Sequence, residues 1–524
     1  MQLPELGFRP TIGAALARAA TGFGDVDYVV TDRDRITYAQ AEHRSALLAR
    51  QLLAHGVGKG TRVGLFYPNG VEWVLWWLAA SRIGALVVPF STLYAPGELA
   101  KGLRLGDIHL LIAPERAVTV DVAAFLEEAL PGLAAHTGTE VAVPAAPYLR
   151  RIWITGGTDR SWARPVDIDE PANDVVQQEI LAAVEAQVCP ADPAVMIHTS
   201  GSTADPKGVV HSHGVLMRQS VFLQDTMNGF TPAGLPTRYL SAMPFFWIGG
   251  ILHVTGSLHS PLTILTLART EPGAALELIE RERGTGIAGW PTLTQRMRAH
   301  PDFTTRDLTT CPSIVDQPAD LSLVAVPGTV PRHRSLTESG GGFLTTEVLV
   351  VDADGTPVPA GDEGELWIRG PGIMLGYNKR EAWEVFDADG WFHTGDRVFV
   401  LDGEPGVFYV GRSTELIKTS GANVSPKEVE SVLDQHPAVQ SSLVVGVGDD
   451  ERGQEVVAVV VPSDPATFDA DLVAADIRRD LSTYKVPRRW VVADADDLPL
   501  LTSGKPDRRE LTRRIEAGVL AGRH

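Results

Sequence analysis

The chain has 524 residues, more than one hydrophobic core usually organises, so two or more domains are expected. Hydrophobic residues make up 44% and charged residues 21%, a composition typical of soluble globular proteins. The formal net charge of −19, from 46 basic and 65 acidic residues, excludes nucleic acid as a general partner, because a phosphate backbone requires a basic surface. An anionic substrate therefore needs local positive groups that act against the overall field.

Neither a signal peptide nor an integral membrane span is expected. The first residues, Met1–Leu6, lack a basic region followed by an apolar core. The most apolar stretch, Val71–Phe90, contains two charged residues and a glycine, so it predicts a buried helix followed by a strand. Its tryptophans, Trp73, Trp76 and Trp77, are interpreted as core packing.

The two cysteines, Cys189 and Cys311, are far apart and lack the spacing of metal ligands. A disulfide framework is not expected, and a reducing cytoplasm is the predicted compartment. The oligomeric state is left open, with a homodimer as one option.

In chain order, the first half alternates between strands and helices. Predicted strands cover residues 36–38, 62–67 and 110–112, with a helix at 39–55. Residues 128–175 are predicted to form surface connections with one strand near 152–154. A second alternating block follows, with strands at 262–267 and 286–290 and a helix at 274–283. Alternation of this kind indicates α/β layers.

From Glu347 the pattern turns to β-structure, with strands at 348–351 and 364–369. A new unit begins after Gly411, with predicted helices at 426–433 and 470–481 and strands at 442–447, 455–461 and 490–492. The predicted fold is α/β. A large multi-layer N-terminal domain with β-sheets flanked by helices covers residues 1–411, and a small α+β domain covers 412–524.

The segment Thr199–Gly208 reads Thr-Ser-Gly-Ser-Thr-Ala-Asp-Pro-Lys-Gly and follows a short apolar run, Ala194–Ile197, that predicts a buried strand. Its glycines let the backbone approach a ligand, and its N–H groups, hydroxyls and lysine favour anionic oxygens. A polyphosphate-binding loop is therefore the first hypothesis, although the composition alone favours an ordinary surface loop. It is not a Walker A loop, because no Ser or Thr follows Lys207.

The order Ser-Gly-Ser-Thr followed by Pro-Lys-Gly resembles the signature loop of the adenylate-forming superfamily, which includes acyl- and aryl-CoA synthetases. Ala204 stands where that family usually has glycine. Further motifs of the family recur in order at residues 364–377, 390–396, 411–412, 415–430 and 499–508. The resemblance implies that the loop binds the phosphates of ATP through Thr199, Ser200, Gly201, Ser202, Thr203 and Lys207.

The same resemblance assigns four further residues. Asp396 of Thr-Gly-Asp would accept both ribose hydroxyls, for which a carboxylate offers two oxygens, and Arg412 would also contact the ribose. Thr414 would be the hinge between the domains. Lys505 would be the catalytic lysine, a point charge that stabilises the negative charge developing at the α-phosphate.

Two segments depart from the family pattern. In Pro244–Gly249, Trp247 replaces the histidine that usually lines the acyl pocket. The resemblance implies an acyl pocket formed by Phe246, Trp247, Gly249 and Trp290. A rigid tryptophan would restrict this pocket to an aryl, cyclic or medium-chain acid, with core packing of Trp247 as the alternative.

The second departure lies at residues 311–340. The family's adenine-binding segment is not recognisable near 311–319, and its Thr-Glu motif survives only as Thr337 and Glu338. By resemblance, Thr337 would contact the α-phosphate and Glu338 would hold Mg²⁺. A helix N-cap is the alternative interpretation.

The implied activity is ATP-dependent ligation of a carboxylic acid to coenzyme A through an acyl-adenylate, with release of pyrophosphate and AMP. The substrates would be the acid, ATP with Mg²⁺, and coenzyme A. One alternative is transfer of the acyl group to a separate carrier protein. Another is a non-catalytic member of the family that binds a nucleotide or an acyl compound.

Overall fold

The computed structural model describes residues 5–169, 176–199, 206–289, 291–315, 346–401, 407–412, 416–494, 498–499 and 507–520. Of residues 222–227, 229–230, 291–292 and 409–412 it describes the backbone but not the side chains. No helix in this part of the chain is long and apolar enough to cross a bilayer.

The elements up to residue 199 alternate between helices and short strands. They are α1 (Ile12–Phe23), β1 (Asp27–Val30), β2 (Arg35–Thr37), α2 (Tyr38–Ala54), β3 (Arg62–Leu65), α3 (Val71–Arg82), β4 (Leu86–Pro89), α4 (Pro96–Leu105), β5 (Leu110–Pro114), β6 (Arg116–Ala117), β7 (Val120–Asp121), α5 (Val122–Ala129), β8 (Arg151–Thr155), β9 (Arg164–Val166), α6 (Gln178–Gln187) and β10 (Pro193–Thr199). A 3₁₀ turn covers Leu133–Ala135.

The alternation continues and then gives way to antiparallel strands. The elements are β11 (Lys207–Ser212), α7 (His213–Phe230), β12 (Thr237–Ser241), α8 (Ile248–Gly256), β13 (Leu262–Leu265), α9 (Pro272–Glu282), β14 (Gly286–Ala288), α10 (Pro291–Arg298), α11 (Pro312–Val315), β15 (Glu347–Val351), β16 (Gly364–Arg369), β17 (Gly376–Tyr377), β18 (Phe392–Phe399) and β19 (Phe408–Arg412). Two 3₁₀ turns cover Pro301–Thr304 and Ala382–Glu384.

The last part of the chain forms a separate α+β arrangement. Its elements are β20 (Ile417–Thr419), β21 (Ala422–Val424), α12 (Pro426–Leu433), β22 (Val439–Asp449), β23 (Gly453–Pro462), α13 (Ala470–Ile477), β24 (Arg489–Val492) and α14 (Arg508–Glu516).

The strands described form four larger sheets and one hairpin. The first sheet has the order β14-β12-β13-β1-β2, with parallel pairing throughout except between β1 and β2. The second has the order β17-β11-β10-β4-β3-β5-β8-β9. The third is the antiparallel series β15-β16-β18-β19. The fourth has the order β21-β20-β23-β22, with β24 beside β23, while β6 and β7 pair as a hairpin.

Helix α3 is buried along nearly its whole length in one of the hydrophobic cores. Its tryptophans Trp73, Trp76 and Trp77 are fully buried, which confirms their interpretation as core packing. Arg82, at the last turn, is 3% exposed and is paired with the carboxylates of Glu42 and Glu185. A buried arginine is stable here because both neighbours are acidic and Ser45 accepts a further hydrogen bond at 2.9 Å.

Most predicted elements are present, with two corrections. Residues 128–175 hold a second strand, β9, which pairs in parallel with β8 and which the proline-rich sequence concealed. The helix predicted at 470–481 ends at Ile477. Its end is a turn in which the N–H groups of Asp480 and Leu481 both donate to the Ile477 carbonyl.

The chain divides into two compact units. Unit 1 comprises residues 1–92, 103–197 and 208–413, and unit 2 comprises residues 93–102, 198–207 and 414–524.

Unit 2 contains a buried ion cluster. Lys485 Nζ lies 2.6 Å from Glu98 Oε1 and 2.8 Å from Glu428 Oε1, and the three residues are 5%, 8% and 8% exposed. Ser482 donates a further hydrogen bond to Glu98. Burial disfavours the charged lysine, but the two carboxylates together with Tyr484 outweigh it and raise the pKa of Lys485.

Candidate active site

The two strands that flank the signature loop are neighbours in the eight-stranded sheet. Strand β10 is buried over Ala194–Ile197, as predicted, and ends at the exposed Thr199. Lys207, half-buried, begins β11. The loop therefore joins strand to strand, whereas a Walker A loop leads from a strand into a helix, so this connection is of a different kind. The loop residues Ser200, Gly201, Ser202 and Thr203 lie outside the described residues.

Strand β11 is held against the end of the motif at 364–377. Val209 and Val210 lie opposite Tyr377 and Gly376 in antiparallel register. Gly208, which closes the signature motif, lies close to β10: a Cβ there would lie 2.7 Å from Met196 Sδ, so the methionine would have to shift. Close packing of this kind favours a glycine after the lysine of the loop.

The predicted ribose-binding residues lie opposite each other. In the antiparallel pair β18–β19, Asp396 is the direct register partner of Arg412, and Arg397 that of Gly411. Cα atoms of such partners are about 4.5–5.5 Å apart. The structure thus brings together two residues that are separated in sequence by a loop. Asp396 is half-buried, and the side chain of Arg412 lies outside the description.

Hydrogen bonds around Thr394–Asp396 hold the backbone of β18 in an irregular conformation at Asp396. Gly395 has a φ of +72°, a left-handed conformation that glycine adopts without strain. The Asp396 N–H donates to Thr394 Oγ1 at 3.0 Å, and the Thr394 hydroxyl donates to the Leu366 carbonyl at 2.7 Å. The Gly395 N–H donates to Glu365 Oε1 at 3.0 Å. Each residue of Thr-Gly-Asp therefore has a defined structural role.

Two predicted parts of the acyl pocket meet at one edge of the first sheet. Strands β12 and β14 are parallel, and the segments that follow them both leave from the carboxyl edge. The Ala242 N–H donates to the Ala288 carbonyl at 2.8 Å, and a Cβ on Gly289 would lie 3.1 Å from Ala242 Cβ. Ligands of open α/β sheets bind at this edge, where the strands end.

The aromatic side chains after β12 differ in their burial. Phe245 is fully buried and packs against Trp73, with ring centroids 5.2 Å apart. Phe246 is 6% exposed and meets the half-buried Trp247 edge-on at 5.6 Å. Gly249 is half-buried on α8, and a Cβ there would lie 2.5 Å from Met243 Cε. Phe245 thus belongs to the core, whereas Trp247 is more accessible.

A buried polar pair supports this edge, and the motifs gave no indication of it. Ser241 Oγ lies 2.7 Å from His253 Nδ1, and burial lowers the pKa of His253 to about 4. The signal that could have revealed it is a serine that ends a strand, followed by a histidine in a mainly apolar helix.

Besides the four loop residues, five further predicted site residues lie outside the described part of the chain: Trp290, Thr337, Glu338, Thr414 and Lys505. The residues on either side of the segment that carries Lys505 are described. The Asp507 N–H donates to the Pro499 carbonyl at 2.8 Å, and Arg508 binds Glu430 with an N–O distance of 2.6 Å. Within the described ranges, no group of three or more His, Cys, Asp or Glu side chains could hold a metal ion.

Comparisons of the sequence with protein-family profiles and with known proteins all point to one enzyme family. The sequence profile of the AMP-binding enzyme family matches residues 16–328 and 318–378, and that of the AMP-binding enzyme C-terminal domain matches 428–505. Feruloyl-CoA synthase of an Amycolatopsis species is 31% identical over 508 residues, covering 92% of this chain and 94% of that protein. The mitochondrial medium-chain acyl-CoA ligase ACSF2 of Mus musculus is 27% identical over 559 residues, covering 97% and 88%.

Among solved structures, the amide bond synthetase McbA from Marinactinospora thermotolerans matches with a TM-score of 0.73 and 26% identity, covering 95% of this chain and 99% of that one. The chain therefore belongs to the AMP-binding enzyme family, in the branch of adenylate-forming acyl-CoA synthetases. The resemblance and the α/β fold class expected from the sequence are confirmed.

Proposed function

We propose that the protein ligates a carboxylic acid to coenzyme A at the expense of ATP. A carboxylate oxygen of the acid attacks the α-phosphorus of ATP, the bond to the bridging oxygen breaks, and pyrophosphate leaves. The resulting mixed anhydride is attacked at its carbonyl carbon by the thiol of coenzyme A, which gives up its proton as AMP departs. Curated relatives at 31% and 27% identity carry the names of CoA ligases, which supports this assignment.

The observation that carries the proposal is the register of Asp396 with Arg412. The register places the backbones of the two residues side by side, and a carboxylate and a guanidinium are the groups that would offer acceptors and donors to one ribose. Thr199 and Lys207, at the two ends of the signature loop, would bind the phosphates with Ser200, Gly201, Ser202 and Thr203. Thr337 would add a contact to the α-phosphate.

In this proposal Lys505 stabilises the negative charge that develops in the first step. The domains would be residues 1–411 and 412–524, and rotation about Thr414 would remove Lys505 and admit coenzyme A. The change from one compact unit to the other between Ser413 and Thr414 supports this hinge.

The acid pocket would be lined by Phe246, Trp247, Gly249 and Trp290. The accessible, rigid Trp247 supports an aryl, cyclic or medium-chain acid over a long straight-chain one. One relative is named for feruloyl-CoA and another for medium-chain acyl-CoA, which agrees with this range. A role in fatty-acid metabolism would follow if the acid is a medium-chain one.

Magnesium enters the proposal as the counter-ion of ATP, held with the help of Glu338. A carboxylate oxygen is a ligand that this hard cation prefers. A reducing cytoplasm is the proposed setting, supported by the free state of Cys189 and Cys311. A homodimer is the proposed assembly to test by sedimentation.

Acid-dependent exchange of labelled pyrophosphate into ATP tests the first step. We expect exchange with at least one acid from a panel of aryl, cyclic and medium-chain compounds. Absence of exchange with every acid, alongside measurable ATP binding, would favour the non-catalytic alternative. Comparing free coenzyme A with a loaded carrier protein as acceptor then distinguishes the second step from carrier loading.

A second candidate acceptor is an amine. It is favoured by the similarity to an amide bond synthetase over 95% of this chain. The adenylate would form in the same way, and an amine nitrogen would attack the acyl carbonyl in place of the thiol. Supplying a preformed adenylate with coenzyme A or with an amine would separate the two, because only one should yield product at a useful rate.

A further inference from the structure

The turn between β3 and α3 reaches the segment that follows β12. Asn69 lies in this turn, 176 residues from Phe245 in sequence. The Phe245 N–H donates to Asn69 Oδ1 at 2.8 Å, and Asn69 Nδ2 donates to the Met243 carbonyl at 3.0 Å. One carboxamide thus binds the backbone on both sides of Pro244, pairing one donor with one acceptor as a peptide group would.

The opposite side of this segment is held by helix α8. A Cβ on Gly250 would lie 2.2 Å from the Pro244 carbonyl oxygen, so the helix can approach only because glycine stands there. The fully buried Phe245 anchors the segment against Trp73. The segment 243–245 is therefore fixed by an amide on one side and by close helix packing on the other.

The Asn69 amide also connects to the buried polar pair. Asn69 Nδ2 lies 3.2 Å from Thr266 Oγ1, and the Thr266 hydroxyl donates to the Ser241 carbonyl at 3.1 Å. Ser241 in turn binds His253 on α8. Thr266 and Ser241 are 0% and 2% exposed, so this network is shielded from water, and loss of one partner would leave buried groups unsatisfied.

We propose that Asn69 is a positioning residue for the acid: its carboxamide fixes the segment 243–245 and thereby sets where Phe246 and Trp247 stand. The inference rests on the proposed function, because it assumes that these two side chains line the acid pocket. Asn69 would not touch the reacting atoms. Loss of Asn69 would therefore affect the binding and selection of the acid rather than the binding of ATP.

The test is pyrophosphate exchange by Asn69→Ala across acids of graded size. Removing the amide leaves the Phe245 N–H and the Met243 carbonyl without their partner, so we expect the KM for the best acid to rise about tenfold. The KM for ATP should stay within about twofold, and the ranking of acids should flatten. Asn69→Asp retains the acceptor but places a carboxylate oxygen against the Met243 carbonyl, so the KM for the acid should rise at least as much as in Asn69→Ala.

A matched control is Gln40→Ala. Gln40 also binds a backbone N–H through its amide, that of Thr37 at 3.0 Å, but at the start of α2. Its loss should lower thermal stability without changing the KM for the acid. If Asn69→Ala behaves like Gln40→Ala, or raises the KM for ATP and the acid equally, the positioning role is overturned. Thr266→Val provides a milder variant if Asn69→Ala fails to fold, with a smaller rise in the KM for the acid expected.

A second measurement separates this inference from the proposed function. The fluorescence of Trp247, taken as the difference between each protein and its Trp247→Phe variant, needs no substrate. Asn69→Ala should shift the emission or the iodide quenching of Trp247, and Gln40→Ala should not. If the wild-type protein exchanges pyrophosphate with no acid, the proposed function fails, while an altered Trp247 signal would still support placement by Asn69. An unchanged signal would overturn that placement.

Discussion

Asp396 faces Arg412 directly across the antiparallel strands β18 and β19. We expect Asp396→Asn to weaken ATP binding because the amide offers one acceptor where the carboxylate offers two. A hydrogen bond to a charged group contributes about 1.5–3 kcal/mol, so the KM for ATP should rise about ten- to hundredfold.

Steady-state pyrophosphate exchange at saturating acid measures this effect. The exposed Asp354→Asn, on a turn of the same sheet, is the control and should leave the KM for ATP unchanged. A KM for ATP that stays at the wild-type value in Asp396→Asn would remove this residue from the nucleotide site.

Lys505 should matter for only one of the two half-reactions. We expect Lys505→Ala to reduce adenylate formation by about 10²–10³, the range for removal of one charge-stabilising group. Thioester formation from a supplied adenylate should change far less, since the proposed rotation removes this side chain from the site. The two rates are measured separately, and equal losses in both would contradict the rotation.

Trp247 should limit the size of the acid. We expect Trp247→Ala to increase the relative turnover of longer straight-chain acids, because truncation enlarges the pocket. Trp383→Ala, at a tryptophan that is 77% exposed, is the control and should leave the ranking intact. If the wild-type enzyme already prefers long straight-chain acids, the restrictive pocket is wrong.

The ion cluster in unit 2 should contribute strongly to stability. Lys485→Met leaves the buried carboxylates of Glu98 and Glu428 without a cation, so we expect a loss of about 3–5 kcal/mol in the free energy of unfolding. Glu98→Gln should cost less because Glu428 still pairs with the lysine. Lys427→Met removes a largely exposed lysine, 3.2 Å from Glu430, and should cost under about 1 kcal/mol. Urea denaturation measures all three, and equal losses for Lys485→Met and Lys427→Met would contradict this account.

Buried histidines should make the protein sensitive to mild acid. Burial lowers the pKa values of His213 and His253 to about 4, from an ordinary value of 6.5. The unfolded chain therefore binds protons first as the pH falls. Stability should be constant above about pH 6.5 and decrease between 6.5 and 4, by up to about 3 kcal/mol for each histidine.

Denaturation at a series of pH values measures this decrease. His253→Asn, which cannot take up a proton, should show a shallower slope across the same range. An identical slope in the variant and the wild type would mean that His253 does not contribute.

Several elements could be predicted because local patterns determine them. Helix α12 has the predicted bounds Pro426–Leu433, since Ser425 caps it and proline stands at its first position. Helix α3 was predicted from its apolar run alone. By contrast, the sequence does not predict α7 (His213–Phe230). Its apolar residues are interspersed with polar ones and do not form a clear apolar stripe along one face of the helix.

The site could be predicted only where a motif carries it. Asp396 and Arg412 were named from motifs, but their register depends on how β18 and β19 pair, which the spacing does not specify. The contact of Asn69 with Phe245 joins two sheets and leaves no local pattern. Long-range side-chain to backbone hydrogen bonds of this kind are visible only once the fold is known.

The grouping of residues 93–102 with unit 2 affects how the protein can be divided. These residues lie between β4 and β5 in sequence, yet they supply Glu98 to the buried Lys485. A fragment that begins at residue 414 would expose this lysine and leave it with Glu428 alone. Chimeras that exchange the C-terminal part between relatives should therefore also carry the donor's residues 93–102, so that Lys485 keeps both of its carboxylate partners.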